Sequence, residues 1–128
     1  MSTHFVVQLQ NRPGALATLA RSIANRGINI EEVAAGGTGG FGYASLTTSD
    51  ETGTRDVLRG CGYEFVEGVS VLVQVADVPG ALAYIAERLG SRGISIHGAM
   101  IVGRRNGRVD VAVTVDDERA AREVLGLA

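Results

Sequence analysis

A repeat at fixed spacing runs through this chain. Asn11-Arg12-Pro13-Gly14-Ala15-Leu16 returns as Asp77-Val78-Pro79-Gly80-Ala81-Leu82, and Pro13 and Pro79 are 66 residues apart. At the same offset Ile23 meets Leu89, Arg26-Gly27-Ile28 meets Arg92-Gly93-Ile94, and Ile30 meets Ile96. Such self-similarity means one supersecondary unit used twice. The chain is therefore read as two modules, residues 1–67 and 68–128, each pivoting on a Pro-Gly turn. A module of about 60 residues buries only roughly 60% of its unfolded surface, so packing on another module or a second copy is expected.

Periodicity gives the order of elements. His4 to Gln10 alternates, with Phe5, Val7 and Leu9 on one face, which predicts a half-buried strand; Val71, Val73 and Val75 repeat it. Pro13 is read as the first helical residue, where its missing N–H costs nothing. Leu16, Leu19, Ala20 and Ile23 then fall at helical spacing, as do Leu82, Ile85, Ala86 and Leu89. Gly27 and Gly93 are expected to end the two helices in left-handed caps. Strand two is placed from Ile28 to about Ala35 and strand three from about Phe41 to Thr48, joined by a loop over Gly36–Gly40. Asn106-Gly107 marks the matching hairpin. Acidic residues at Asp50-Glu51 and Asp116-Asp117-Glu118 suit the starts of the second helices. Tyr63 to Val66 reads as a fourth strand, with Glu67 and Gly68 linking it to the next module. The fold class is α+β: tandem ferredoxin-like β-α-β-β-α-β modules, each an antiparallel sheet with helices on one face, the second lacking its last strand. An unfilled strand position would invite pairing.

Charge and composition narrow the partners. Every basic residue is arginine, so lysine Schiff-base chemistry is excluded, and the net charge is −2 with neither half basic. The bulk attraction that draws a protein to nucleic acid or an anionic membrane is absent. Cys61 is the only cysteine, no targeting segment opens the chain, and no apolar run approaches a membrane span, so a cytoplasmic location is expected. Gly37-Thr38-Gly39-Gly40-Phe41-Gly42 matches a dinucleotide-loop pattern but opens a strand rather than a helix. Phe5-Val6-Val7 and Gly40-Phe41-Gly42-Tyr43 resemble the strand motifs of an RNA-recognition module. Alignment of Tyr43 with Val109, whose neighbours Val111 and Val113 look buried, predicts that these aromatics face the helices, away from any base. His4 and His97 do not sit at metal-ligand spacing, and no nucleophile–base arrangement can be assembled. Arg104-Arg105 and Arg108 form a basic cluster on a hairpin tip. No catalysis, metal or cofactor is expected.

The Pro-Gly turns carry what chemistry remains. Gly14 lacks a side chain where a helix N-terminus presents unpaired N–H groups, so a small carboxylate can approach. Asn11 offers both a donor and an acceptor.

Asn11-Arg12-Pro13-Gly14-Ala15-Leu16, followed by Ile23, Arg26, Gly27, Ile28, Asn29 and Ile30, resembles an ACT domain, and Asp77 to Ile96 resembles a second. The resemblance covers nearly the whole chain. It implies a regulatory module that binds an amino acid where two copies meet, between the turn after strand one of one copy and the start of strand two of the other. The family's ligand-holding positions fall on Asn11, Gly14 and Asn29, with Arg12, Ala15, Leu16 and Ile30 beside them. A serine-holding histidine of one group falls on Leu9. The second module places Asp77, Gly80, Ala81 and Ser95 at the equivalent positions, and Asp77 would repel a carboxylate, so the first site is preferred. The resemblance implies a free-standing tandem ACT protein, a homodimer exerting allosteric regulation on a separate enzyme. The alternative is a protein-protein interaction module without a small-molecule ligand.

Overall fold

Alternation in the first strand sets the architecture. In the computed structural model, which describes residues 3–127, β1 (Thr3–Gln10) buries Phe5, Val7 and Leu9 and leaves Gln8 and Gln10 exposed. After α1 (Ala15–Ala24) come β2 (Ile30–Thr38), β3 (Phe41–Thr48), α2 (Glu51–Gly60) and β4 (Phe65–Ala76); α3 (Ala81–Ser91), β5 (Ile96–Arg105), β6 (Arg108–Val115) and α4 (Glu118–Val124) complete the chain. The chain forms two compact units, one ending at Glu67 and the other beginning at Gly68.

In the first unit the strand order is β2-β3-β1 followed by the start of β4. β1 and β3 run antiparallel with Phe5 opposite Leu46 and Val7 opposite Ala44. Leu19 and Ile23 of α1 and Val57 and Leu58 of α2 close over that face to form the core. Asp50 caps α2 by accepting the Gly53 N–H at 2.9 Å. The buried hydroxyls of Thr48 and Thr54 bond each other at 2.7 Å, so neither is stranded without a partner. In the second unit β6 lies between β4 and β5, and Val71, Val73, Ile85, Leu89, Val111 and Val113 build an equivalent core. The fold is α+β, with ferredoxin-like modules in tandem.

Several expectations are corrected by local physics. Pro13 is not helical: the Ala15 N–H donates to the Arg12 carbonyl at 3.2 Å, closing a turn in which Gly14 has φ 86°. A left-handed residue after proline makes this a type II turn, so α1 starts one residue beyond the glycine. Leu16 consequently falls in the first turn, 44% exposed, and not in the core. Glu67 and Gly68 are not a connection but lie inside the continuous strand β4. β2 extends through the glycines to Thr38, leaving Gly39 and Gly40 as the turn.

Tyr43 aligns with Asp110, not Val109: Gln8 faces Tyr43 in one unit and its counterpart Gln74 faces Asp110 in the other. The second hairpin carries an extra residue, absorbed by a bulge between Ile101 and Gly103. Tyr43 therefore points away from the helices and is 45% exposed, with Phe41 beside it at 63%. Of the strand aromatics assigned to the helix face, Phe5 alone lies there. Gly27 and Gly93 do adopt the left-handed conformation, at φ 72° and 71°.

His4 stands on the open face of β1 beside Glu32 of β2, 3.7 Å away. Burial lowers its pKa from 6.5, and the Glu32 carboxylate offsets this only in part. The unfolded chain thus binds the proton more readily than the folded one, and stability falls as pH drops through the mid-6 range. Denaturant midpoints measured from pH 7.5 down to 5.5 are expected to decline, and His4→Gln is expected to flatten that decline.

Candidate functional site

The first Pro-Gly turn is held from both sides. The Asn11 N–H donates to the Gly40 carbonyl and its side-chain Nδ2 donates to the Gly39 carbonyl, both at 3.1 Å. A Cβ on Gly37 would come within 2.9 Å of the Asn11 amide, so this glycine makes room for the brace. The glycine run read as a loop is thus a strand end shaped by the side chains lying on it.

Beyond the brace, Gly14 is the N-cap of α1 and supplies no side-chain bond. Its carbonyl accepts from the Thr18 N–H and hydroxyl at 2.9 and 3.0 Å. Among the described residues no backbone acceptor receives the N–H of Leu16 or Ala17. Those donors stand at the positive end of the helix dipole.

An open groove of about 690 Å³ adjoins this turn, within the first unit. Arg12, Gly14 and Thr18 line it, as do Gln8, Gln10 and Phe41. Cys61, Tyr63 and Glu64 complete the lining named here. Glu64 is brought there by the pairing of β1 with the chain entering β4, where the Gln8 N–H donates to the Glu64 carbonyl at 2.9 Å. Burial pushes the Tyr63 hydroxyl up from its usual pKa, with Cys61 adding to the shift. The residues lining it thus include an arginine, a glutamate, two glutamines and two aromatics, beside the N-terminus of α1.

Of the residues named from sequence, Arg12, Gly14 and Ala15 line the groove. Asn11 does not, because its amide is turned onto the hairpin, and Leu16 lies exposed on the first turn of α1. Asn29 stands at the other end of β2, its backbone held by Ser49 through two bonds of 2.9 Å, with half-buried Ile30 following. The nine residues of β2 separate it from the Asn11 brace by about 30 Å. Asn11 and Asn29 of one module cannot hold the same small molecule. Gln8, Gln10, Phe41, Cys61, Tyr63 and Glu64 were not anticipated as site residues. The outward parity of Gln8 and Gln10 beside the turn was the available signal, whereas Glu64 is brought in only by strand pairing.

The second turn repeats the backbone and not the chemistry. Gly80 has φ 93° and caps α3 without a side-chain bond, and the Asp77 N–H donates to the Gly107 carbonyl at 2.9 Å. The Asp77 carboxylate is engaged by the Arg104 Nε at 3.0 Å, so part of the basic hairpin tip neutralises it internally. Ala81 begins α3 and is half-buried, while Ser95 is held by Asp116 as Asn29 is held by Ser49.

Among the described residues no group of three or more His, Cys, Asp or Glu is placed to hold a metal ion, and no helix is long and apolar enough to cross a membrane. No protein-family model and no curated protein matches the sequence. Similar solved structures include protein BT0572 from Bacteroides thetaiotaomicron, with TM-score 0.65 and 22% identity over 98% of this chain and 86% of that one. The regulatory subunit of aspartate kinase from Thermus flavus gives TM-score 0.62 and 19% identity, over 98% and 92%. The aspartokinase alpha and beta subunits give 0.61 and 20%, over 97% and 89%. At these identities the likeness is one of fold, and it extends over nearly the whole chain: the α+β arrangement with tandem ferredoxin-like modules is shared with these proteins.

Proposed function

We propose that the chain is a non-catalytic regulatory protein of the cytoplasm that binds a free amino acid at its first Pro-Gly turn and acts, as a homodimer, on a separate enzyme. The observation that carries this reading is the groove beside Gly14, where Arg12 and Glu64 supply opposite charges next to uncapped helix N–H groups. The ligand carboxylate is assigned to Arg12 and the N-terminus of α1, and its ammonium to Glu64. The ACT resemblance and the regulatory subunits among the similar structures support the same role. Asn29 takes part only if a second module supplies it. Asp77, already paired with Arg104, leaves the turn at Gly80 the weaker site.

A ligand this small binds with a micromolar constant, roughly −8 kcal/mol. At a hundredfold excess it adds about 2.7 kcal/mol of stability, raising Tm by roughly 5–20 °C. Screening the standard amino acids by thermal shift is expected to find at least one such rise, absent in Arg12→Ala. No rise at millimolar concentration sinks the reading. It would favour the interaction module instead, for which the exposed Val78, Leu82 and Tyr84 around the second turn are the supporting observation.

A further inference from the structure

The two repeats carry different chemistry on the sheet face that the helices leave open. In the second unit Arg108 of β6 faces Ala76 of β4, and Asp110 faces Gln74. Their polar groups are spent on one another. The Gln74 side-chain Nε2 donates to the Asp110 carboxylate at 3.0 Å, Arg108 donates to the Gln74 carbonyl at 3.0 Å, and Arg104 holds Asp77. In the first unit the corresponding strand pair sets Phe41 opposite Gln10 and Tyr43 opposite Gln8. Both rings are exposed, and among the described residues the side chains of Gln8, Gln10 and Arg12 have no hydrogen-bond or ion-pair partner. Two aromatics and two unspent amides thus stand where the second unit has a closed polar network.

The two rings lie differently. A Cβ on Gly36 would come within 3.2 Å of the Tyr43 Cε1 and 3.6 Å of its Cζ and hydroxyl oxygen, so this ring leans towards β2 over a glycine. Tyr43 does not line the groove beside Gly14, whereas Phe41, Gln8 and Gln10 do. The groove, at about 690 Å³, falls within the roughly 300–1,000 Å³ of pockets that hold drug-sized ligands. It has room for a large side chain as well as for the ammonium and carboxylate of an amino acid.

We infer that the amino acid bound at the first Pro-Gly turn carries an aromatic side chain, and that its ring packs on the ring of Phe41. This deepens the proposed function and rests on it. Arg12 and Glu64, the charged side chains of the groove, are already assigned to the ligand's own carboxylate and ammonium, so a charged side chain would stay unpaired there. A small side chain would leave the Phe41 ring uncovered. An aliphatic one would cover it, but an offset or edge-to-face ring pair adds roughly two- to tenfold in affinity beyond the area it buries. The amides of Gln8 and Gln10 each offer a donor and an acceptor to a hydroxyl or ring N–H at the edge of the bound ring. The turn at Gly80 lacks this selectivity, because Arg108 stands where the first unit has Phe41.

The test is calorimetric titration of the full chain with phenylalanine, tyrosine and tryptophan against leucine and methionine. An aromatic amino acid is expected to bind roughly two- to tenfold more tightly than leucine. Phe41→Leu, at an exposed position and with folding checked by circular dichroism, is expected to bring that ratio to about one. Tyr43→Ala, whose ring leans away from the groove, is expected to leave the ratio as in the wild type. An aliphatic, small or charged amino acid that binds most tightly, or a preference that survives Phe41→Leu, overturns the inference. In either case binding that still depends on Arg12 leaves the proposed function standing, whereas failure of every amino acid to bind overturns both.

Discussion

Phe5→Ala is expected to destabilise the first unit by about 3–5 kcal/mol, the largest effect of any single substitution considered. Phe5 is fully buried, and its ring lies 6.2 Å from that of Phe65 in a tilted pair. The Arg55 guanidinium sits 5.8 Å above the Phe5 ring while bonding Glu67 at 2.6 and 2.8 Å. Truncation leaves a cavity among Val7, Leu46 and Leu58 and removes the surface on which Arg55 rests. A single domain of this size is stable by roughly 5–15 kcal/mol at most, so the loss is a large part of the total. Denaturant titration followed by circular dichroism reads it directly. Phe5→Leu is expected to restore most of the difference, because it refills the volume with an apolar group.

Gly68→Val is the second large effect, through overpacking rather than loss. A Cβ on Gly68 would stand 2.8 Å from the Val115 carbonyl oxygen and 2.8 Å from the Thr114 Cγ2. One of these is backbone in a strand ladder and cannot swing aside. The expected cost is about 1–3 kcal/mol or more, with β6 displaced where it enters α4. A lowered denaturant midpoint, with faster amide exchange at Thr114 and Val115, is the expected readout. Gly60→Val is the control, since a Cβ there meets open space. If Gly68→Val is as mild as that control, β4 accommodates a side chain and the close approach does not constrain the strand.

The sequence carried much of this fold because its strongest signals are periodic. The alternation of Phe5, Val7 and Leu9, the spacing of Leu19 and Ile23, and the 66-residue offset all survive in the structure, since burial enforces each of them. The departures from it depend on single residues without a periodic signature. Pro13 suits both a helix start and a type II turn, and only the conformation of Gly14 decides between them. The parity of Tyr43 turned on one extra residue in the second hairpin, which a bulge between Ile101 and Gly103 absorbs. A one-residue slip moves a side chain to the opposite face, so Phe41 and Tyr43 stand opposite to the face that alignment with Val109 predicts.

The candidate site was legible only in part, for a related reason. Gly14 and Ala15 belong to the repeat itself and Arg12 stands within it, where the second copy has Val78. Glu64 reaches the groove through pairing across more than fifty residues of chain, and Gln8 and Gln10 looked like ordinary solvent-facing positions. Asn11 carried a motif signal, yet its amide braces the Gly39 turn, so its effect on any ligand runs through the shape of the turn.

Binding of an amino acid at the first Pro-Gly turn is tested most directly by amide chemical shifts in the full chain. The amino acid giving the largest thermal shift would be titrated into isotope-labelled protein. The amides of Gly14, Leu16 and Ala17 and the side-chain amides of Gln8 and Gln10 are expected to move together and saturate, while those of Gly80 and Ala81 stay in place. Movement centred on Gly80 and Ala81, or a titration that leaves Leu16 and Ala17 unmoved, would contradict it.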